Sequence, residues 1–246
     1  RVAEDPPAVF VPNLSVAAYY ASRWVREAGI PTVGVLHSDD AFHHGLLSEF
    51  VFGAAPYQLS ALVCVSRLLE QVVIERDPRS THIWRIPYGV PLAGAVAQKP
   101  DGRLRLVYVG RLVERQKRIS EVTRAFCQVV KSVANCEAVI YGDGPARRQV
   151  EEILHTEGQG LPVRLAGRVD SDEIQDHMRQ SHALVLLSDY EGLPIALMEA
   201  MACGVPVVGS DCGEIPHVIG DAGLVFPEDD AAALRACLRQ LMREPE

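Results

Sequence analysis

From Leu104 to the C-terminus, six short apolar runs alternate with segments of helical period, and this regularity constrains the fold more than any other feature. The runs are LRLVYVG (104–110), AVIYG (138–142), VRLAG (163–167), ALVLLS (183–188), VPVVGSD (205–211) and GLVF (223–226). Unbroken apolar character over so few residues predicts strands buried on both faces. Helices are predicted at roughly 119–133, 145–156, 172–180 and 214–219, from Pro194 to Gly204, and from about residue 229 onward. Strands joined by helices of this length form right-handed βαβ units. The predicted fold class is therefore α/β, with a parallel, doubly wound sheet.

The first 95 residues carry a sparser version of the same pattern. Strands are predicted at 8–12 (AVFVP), 31–37 (PTVGVLH), 61–66 (ALVCVS) and 83–89 (IWRIPYG). One helix is expected at about 15–28 and another after the third strand. The stretch 91–103, rich in Pro, Gly and Ala, is the predicted linker, dividing the chain into residues 1–95 and 96–246. A doubly wound domain usually needs roughly 100–150 residues. The front part is accordingly expected to be the rear half of a Rossmann-like domain whose opening strands lie upstream of Arg1.

Composition narrows the function classes. A net charge of −8 argues against a nucleic-acid partner, which would need a basic face. No apolar run is long enough for a transmembrane segment, and no signal peptide is evident. Six scattered cysteines without a Cys-x-x-Cys pair predict reduced, buried thiols and a cytoplasmic location; a place at the inner face of the membrane is compatible with it.

The chemistry concentrates in DYEGLPIALMEAMACGVP, residues 189–206. Pro194 suits the first turn of a helix, where its missing N–H costs nothing, and Gly204 ends that helix. Glu191 then lies in the loop at the helix mouth, and Glu199 about two turns in. The amides between them, at Gly192 and Leu193, and the helix start form a seat for an anion. Two carboxylates flanking a phosphate seat suit a ligand with hydroxyls at both ends and phosphate in the middle, such as a sugar nucleotide.

A second signal is YVGRLVERQKRIS, residues 108–120. Gly110 closes a strand, and Arg111 and Lys117 follow at the carboxyl edge, where doubly wound folds bind ligands. Residues 103–118 hold six basic side chains and one acidic, Glu114. A solvated charged loop is the alternative. YGDGP (141–145) repeats the strand–glycine–helix design, with Gly142 allowing either close backbone approach to a ligand or an ordinary tight turn. Asp170-Ser171-Asp172 superficially matches a metal-binding Asp-x-Asp, but helix capping explains it more simply. His37, Asp39, Asp40, His43 and His44 lack the spacing of a helical zinc site. The expected arrangement is a strand ending at His37, with its imidazole at the sheet edge.

Together, VGRL…K, YGDGP, AGRV, EGLPIALMEAMACGVPVV, GEIPHVI and GLVFP resemble the retaining glycosyltransferases of family 4 (glycosyl transferases group 1), which have the GT-B fold. The resemblance covers nearly the whole chain; IPTVGVLH, ALVCVS and IPYGV carry its weaker, front part. It implies two Rossmann-like domains facing across a cleft and transfer of a hexosyl unit from a nucleoside-diphosphate sugar to an alcohol acceptor. The acceptor would be a carbohydrate or a lipid-linked one, with peripheral membrane contact through the N-terminal part. No cofactor or metal is implied. By the same resemblance Arg111 and Lys117 neutralise the diphosphate, helped by Gly110, Gly142, Pro194 and the amides of Gly192 and Leu193. Glu191 binds the transferred sugar, Glu199 the ribose, and the backbone at Val169 borders the base. His37 matches the histidine near the sugar's reacting face.

The chain also departs from the family pattern. One extra residue separates Arg111 from Lys117, and Arg118 replaces a usual glycine. Tyr88 and Pro91 replace a usual asparagine and aspartate. The glycine-rich loop of the first domain and the C-terminal helix that packs back onto it are not recognisable in this sequence. A nucleotide-sugar-binding or inactive fragment, and a phosphorylase or epimerase of the same fold, remain open as alternatives.

Overall fold

The computed structural model describes residues 6–78, 80–92, 103–228 and 230–243. Most of the expected linker, 93–102, lies outside them. Contacts divide the chain into two units: Arg1–Tyr88 with Tyr190–Leu193, and Gly89–Asp189 with Pro194–Glu246.

In the first unit the elements run α1 (Val16–Glu27), β1 (Val33–Leu36), α2 (Ala41–Phe50), β2 (Ala61–Cys64), α3 (Arg67–Ile74) and β3 (His82–Arg85). The strands pair in parallel in the order β1-β2-β3. Tyr19, Leu47, Phe50, Leu59 and Leu69 form its core, with Leu193 packed against it. The strand expected at 8–12 is reduced to one bridge, Phe10 to Thr32. Prolines at 6, 7 and 12 withhold the N–H groups that a longer ladder would need. Helix α2 was not anticipated. Asp40 caps it by accepting the His43 amide at 2.9 Å, and His43, Leu46, Leu47 and Phe50 make its buried stripe at helical spacing.

The second unit alternates strictly: β4 (Leu104–Val109), α4 (Glu114–Lys117), α5 (Ile119–Ser132), β5 (Cys136–Tyr141), α6 (Arg147–Thr156), β6 (Val163–Gly167), α7 (Ser171–Arg179), β7 (Ala183–Leu186), α8 (Ile195–Ala202), β8 (Val207–Ser210), α9 (Ile215–Ile219), β9 (Gly223–Phe226) and α10 (Ala231–Arg243). All six predicted strands are present. They pair in parallel in the order β6-β5-β4-β7-β8-β9, so the chain reverses its direction of travel between β4 and β7. That reversal is a topological switch point, the place where open sheets of this kind bind ligands. Strands β7 and β8 are buried along their whole length, which accounts for their unbroken apolar runs. The C-terminal cap of α8 is a Schellman motif: Gly204, at φ +73°, donates to Met201 and Val205 donates to Ala200. At the other end Pro194 holds the N-cap, one position earlier than the first-turn site expected for it.

All six cysteines are free, and five are buried. No helix among the described residues is long and apolar enough to cross a membrane.

Candidate functional site

At the switch point of the second unit, two loops meet through side chains. The β4 chain ends in Gly110 and Arg111 and runs into α4, one helical turn that carries Gln116 and Lys117. The β7 chain ends in Ser188 and Asp189. Lys117 Nζ lies 3.3 Å from Ser188 Oγ, and the Gln116 carbonyl accepts the Asp189 amide at 2.9 Å. Ser210, at the end of β8, holds Ser188 from the far side: its hydroxyl accepts the Ser188 amide and donates to the Ser188 carbonyl, both at 3.1 Å. Both serines are fully buried.

Arg111 is fixed at both ends. The buried Tyr108 phenol donates to its carbonyl at 2.9 Å, and its guanidinium donates to Gln116 Oε1 at 2.9 Å. Two cations so placed repel each other. Burial, and secondarily the Arg111 charge, bring the Lys117 amine down to about 8. An anion set between them would relieve both penalties.

Gly110 and Gly142 meet directly. A side chain at Gly142, whose φ is +143°, would run into the Gly110 carbonyl at 1.8 Å, so the close approach at YGDGP is to protein backbone. Val169 follows β6 at the same carboxyl edge and packs on the margin of the core. On α8, Glu199 is partly buried, and burial raises its carboxyl above the usual range.

The remaining predicted residues belong to the first unit. Glu191 is buried, with 6% exposure. A side chain at Gly192 would meet the His37 carbonyl at 1.9 Å, so glycine is required there. His37 ends the β1 run, as expected. Its Nε2 lies 2.8 Å from Asn13 Oδ1, its Nδ1 bonds the Tyr88 hydroxyl, and the Tyr88 ring stacks on it. With an amide oxygen facing Nε2, that nitrogen carries the proton and Nδ1 accepts from Tyr88. Burial, then the nearby His43, lowers the His37 pKa, in keeping with a neutral ring. His43 itself is the capping partner of Asp40 (Nδ1 to Oδ1, 2.8 Å), and His44 pairs with Asp39 at 2.7 Å. Among the described residues no group of three His, Cys, Asp or Glu is gathered closely enough to hold a metal ion. Asp170 takes the N-cap of α7; the side chain of Asp172 lies outside the described residues.

Sequence reasoning assigned no role to Gln116, Ser188, Ser210, Asn13 or Tyr88. Ser188 and Ser210 each close an apolar run, the position that this fold turns toward a ligand. Asn13 carried no signal.

Residues 103–244 match the family model described as glycosyl transferases group 1. The chain belongs to that family. This group 1 glycosyltransferase is 33% identical over 135 residues to the N-acetyl-alpha-D-glucosaminyl L-malate synthase of Bacillus anthracis, a match that covers 53% of this chain and 34% of that protein. Among solved structures it is similar to a sucrose-phosphate synthase from Thermosynechococcus elongatus (TM-score 0.77, 21% identity, covering 99% of this chain and 66% of that one). It is also similar to Anabaena Alr3699/HepE in complex with UDP and glucose (TM-score 0.75, 16% identity, 93% and 66%). These likenesses show the α/β fold of GT-B type. The matches to the first curated relatives span about a third to somewhat more than half of their length.

Proposed function

We propose that this group 1 glycosyltransferase transfers a hexosyl unit from a nucleoside-diphosphate sugar to an alcohol acceptor with retention of anomeric configuration. The observation that carries the reading is the pair of cations, Arg111 and Lys117, fixed by Gln116 and Ser188 at the switch point of the second unit. The UDP and glucose bound to the HepE structure named above support it by likeness of fold.

Breaking the anomeric C–O bond places negative charge on the departing diphosphate and positive character on the sugar ring. Cations held in place beforehand stabilise that charge more in the transition state than in the ground state. Arg111 offers a planar fork for two phosphate oxygens, and Lys117 a compact charge. The amides of Gly192 and Leu193 add hydrogen bonds to the diphosphate. Glu191 takes hydroxyls of the transferred sugar, Glu199 those of the ribose, and the backbone at Val169 borders the base. His37, neutral and held by Asn13 and Tyr88, accompanies the reacting face of the sugar. With two cations and these amides on the diphosphate, the reaction proceeds without a metal ion or other cofactor. The acceptor is a carbohydrate or lipid-linked alcohol, and the chain acts in the cytoplasm, including the inner membrane face.

A thermal-shift panel of UDP-, GDP- and ADP-sugars, followed by NMR of the product's anomeric signal with a simple alcohol acceptor, tests this. The true donor raises Tm, since a ligand of the folded state stabilises it by RT ln(1 + [L]/Kd), and the product keeps the donor's configuration. Inversion, or hydrolysis without transfer, would overturn the reading.

A further inference from the structure

Arg118 ends α4 and begins α5 with φ +43° and ψ +43°. Glycine adopts this left-handed conformation freely, whereas an L side chain is strained in it. A side chain kept at such a position has to be held by its contacts, and those of Arg118 are unusually many. Its side chain has 14% exposure. Its Nη2 donates to both carboxylate oxygens of Glu121, at 2.9 and 2.7 Å, and its Nη1 donates to the Glu228 carbonyl at 2.7 Å. It also pairs with Asp189 Oδ1 at 3.5 Å.

The contact with Asp189 continues a pattern. Gln116 holds the Asp189 amide, Lys117 reaches the Ser188 hydroxyl, and Arg118 pairs with the Asp189 carboxylate. Three consecutive residues after β4 thus grip two consecutive residues after β7, across the switch point. Glu121 and the loop after β9 anchor the guanidinium from behind, so it joins three segments of the second unit.

We propose that Arg118 is a positioning residue: it locks the Ser188–Asp189 turn against the turn bearing Lys117, so that the ammonium meets the donor's diphosphate in one fixed place. The inference rests on the donor-site reading above. It assigns a function to a position where the resemblance leads one to expect glycine. The donor does not touch Arg118; its effect passes through Asp189 and Lys117.

The test uses Arg118→Gly, Arg118→Lys, Asp189→Asn and the double variant Arg118→Gly/Asp189→Asn. Each is titrated calorimetrically with UDP, GDP and ADP, and its Tm is recorded. Arg118→Gly removes the strained side chain, so its Tm should stay close to that of the unsubstituted chain while Kd weakens on the order of tenfold. Asp189→Asn should weaken Kd similarly, the double variant no more than either single one, and Arg118→Lys should recover part of the loss. Should Arg118→Gly fail to fold, Asp189→Asn alone decides, because it breaks the same pair without touching the backbone. Unchanged Kd in Asp189→Asn, or multiplicative losses in the double variant, would overturn the proposal while leaving the donor-site reading intact. If the unsubstituted chain binds no diphosphate, the donor-site reading fails, and this inference fails with it.

Discussion

Lys117 Nζ and Ser188 Oγ stand 3.3 Å apart, joining the loop after β4 to the loop after β7 where the sheet order reverses. The bond places a partly buried ammonium at the position that this fold reserves for ligands. Arg111 beside it opposes its charge, and the same Gln116 orients Arg111 and anchors Asp189.

The first prediction concerns pH. With the Lys117 amine near 8, raising pH through that value discharges it, and nucleoside-diphosphate binding should weaken between about pH 7 and 9. Lys117→Arg should flatten this dependence, since guanidinium stays charged. Stability follows the opposite course. The folded chain binds fewer protons than the unfolded one between about 8 and 10.5, so Lys117 should make ligand-free stability rise with pH across that window. Titration and thermal melts at matched pH values check both signs.

Glu199→Gln should act on donor binding with turnover nearly intact, whereas Lys117→Ala should lower turnover as well as binding. Glu199→Gln should weaken donor binding about 10- to 100-fold, as expected for loss of charge-assisted hydrogen bonds to ribose hydroxyls. Lys117→Ala should lower turnover on the order of 10²–10³, the cost of one preorganised charge-stabilising group. Steady-state kinetics with each variant measure the split; equal, small effects from both would contradict the assigned roles.

Tyr88→Phe removes the hydroxyl on His37 Nδ1 while keeping the ring that stacks on it. Turnover should fall about 2- to 10-fold, the range for one orienting hydrogen bond, with nucleotide Kd unchanged. An NMR titration of His37 should show its pKa move in the variant.

Gly142→Ala tests the loop architecture. The new methyl would meet the Gly110 carbonyl at a backbone conformation, φ +143°, that only glycine tolerates. Denaturant unfolding should show a loss of about 2–4 kcal/mol. Gly45→Ala, where nothing lies within 4 Å, should lose none of this and serves as the control.

The second unit was legible in the sequence because strands buried on both faces leave unbroken apolar runs, and β7 and β8 are such strands. The placement of Arg111 and Lys117 at the carboxyl edge of the sheet was legible because both follow the apolar run that forms β4. Helix α2 was missed: HSDDAFHH drew attention for its histidines, whereas Asp40 is a cap and His43 opens the buried stripe. The one-turn α4 is too short to show a period. Gln116, Ser188 and Ser210 act through contacts between distant segments, and single-chain patterning does not encode which loop ends meet. The run at 8–12 had strand composition, but it is bounded by prolines and pairs only through the Phe10–Thr32 bridge.

The most direct measurement is calorimetric titration of the chain and of Lys117→Ala with UDP, GDP and ADP at pH 7. The account predicts saturable one-to-one binding of one of these diphosphates, and at least tenfold weaker binding by Lys117→Ala, since a charged hydrogen bond is lost. No binding by the chain, or equal affinity in the two proteins, would contradict it.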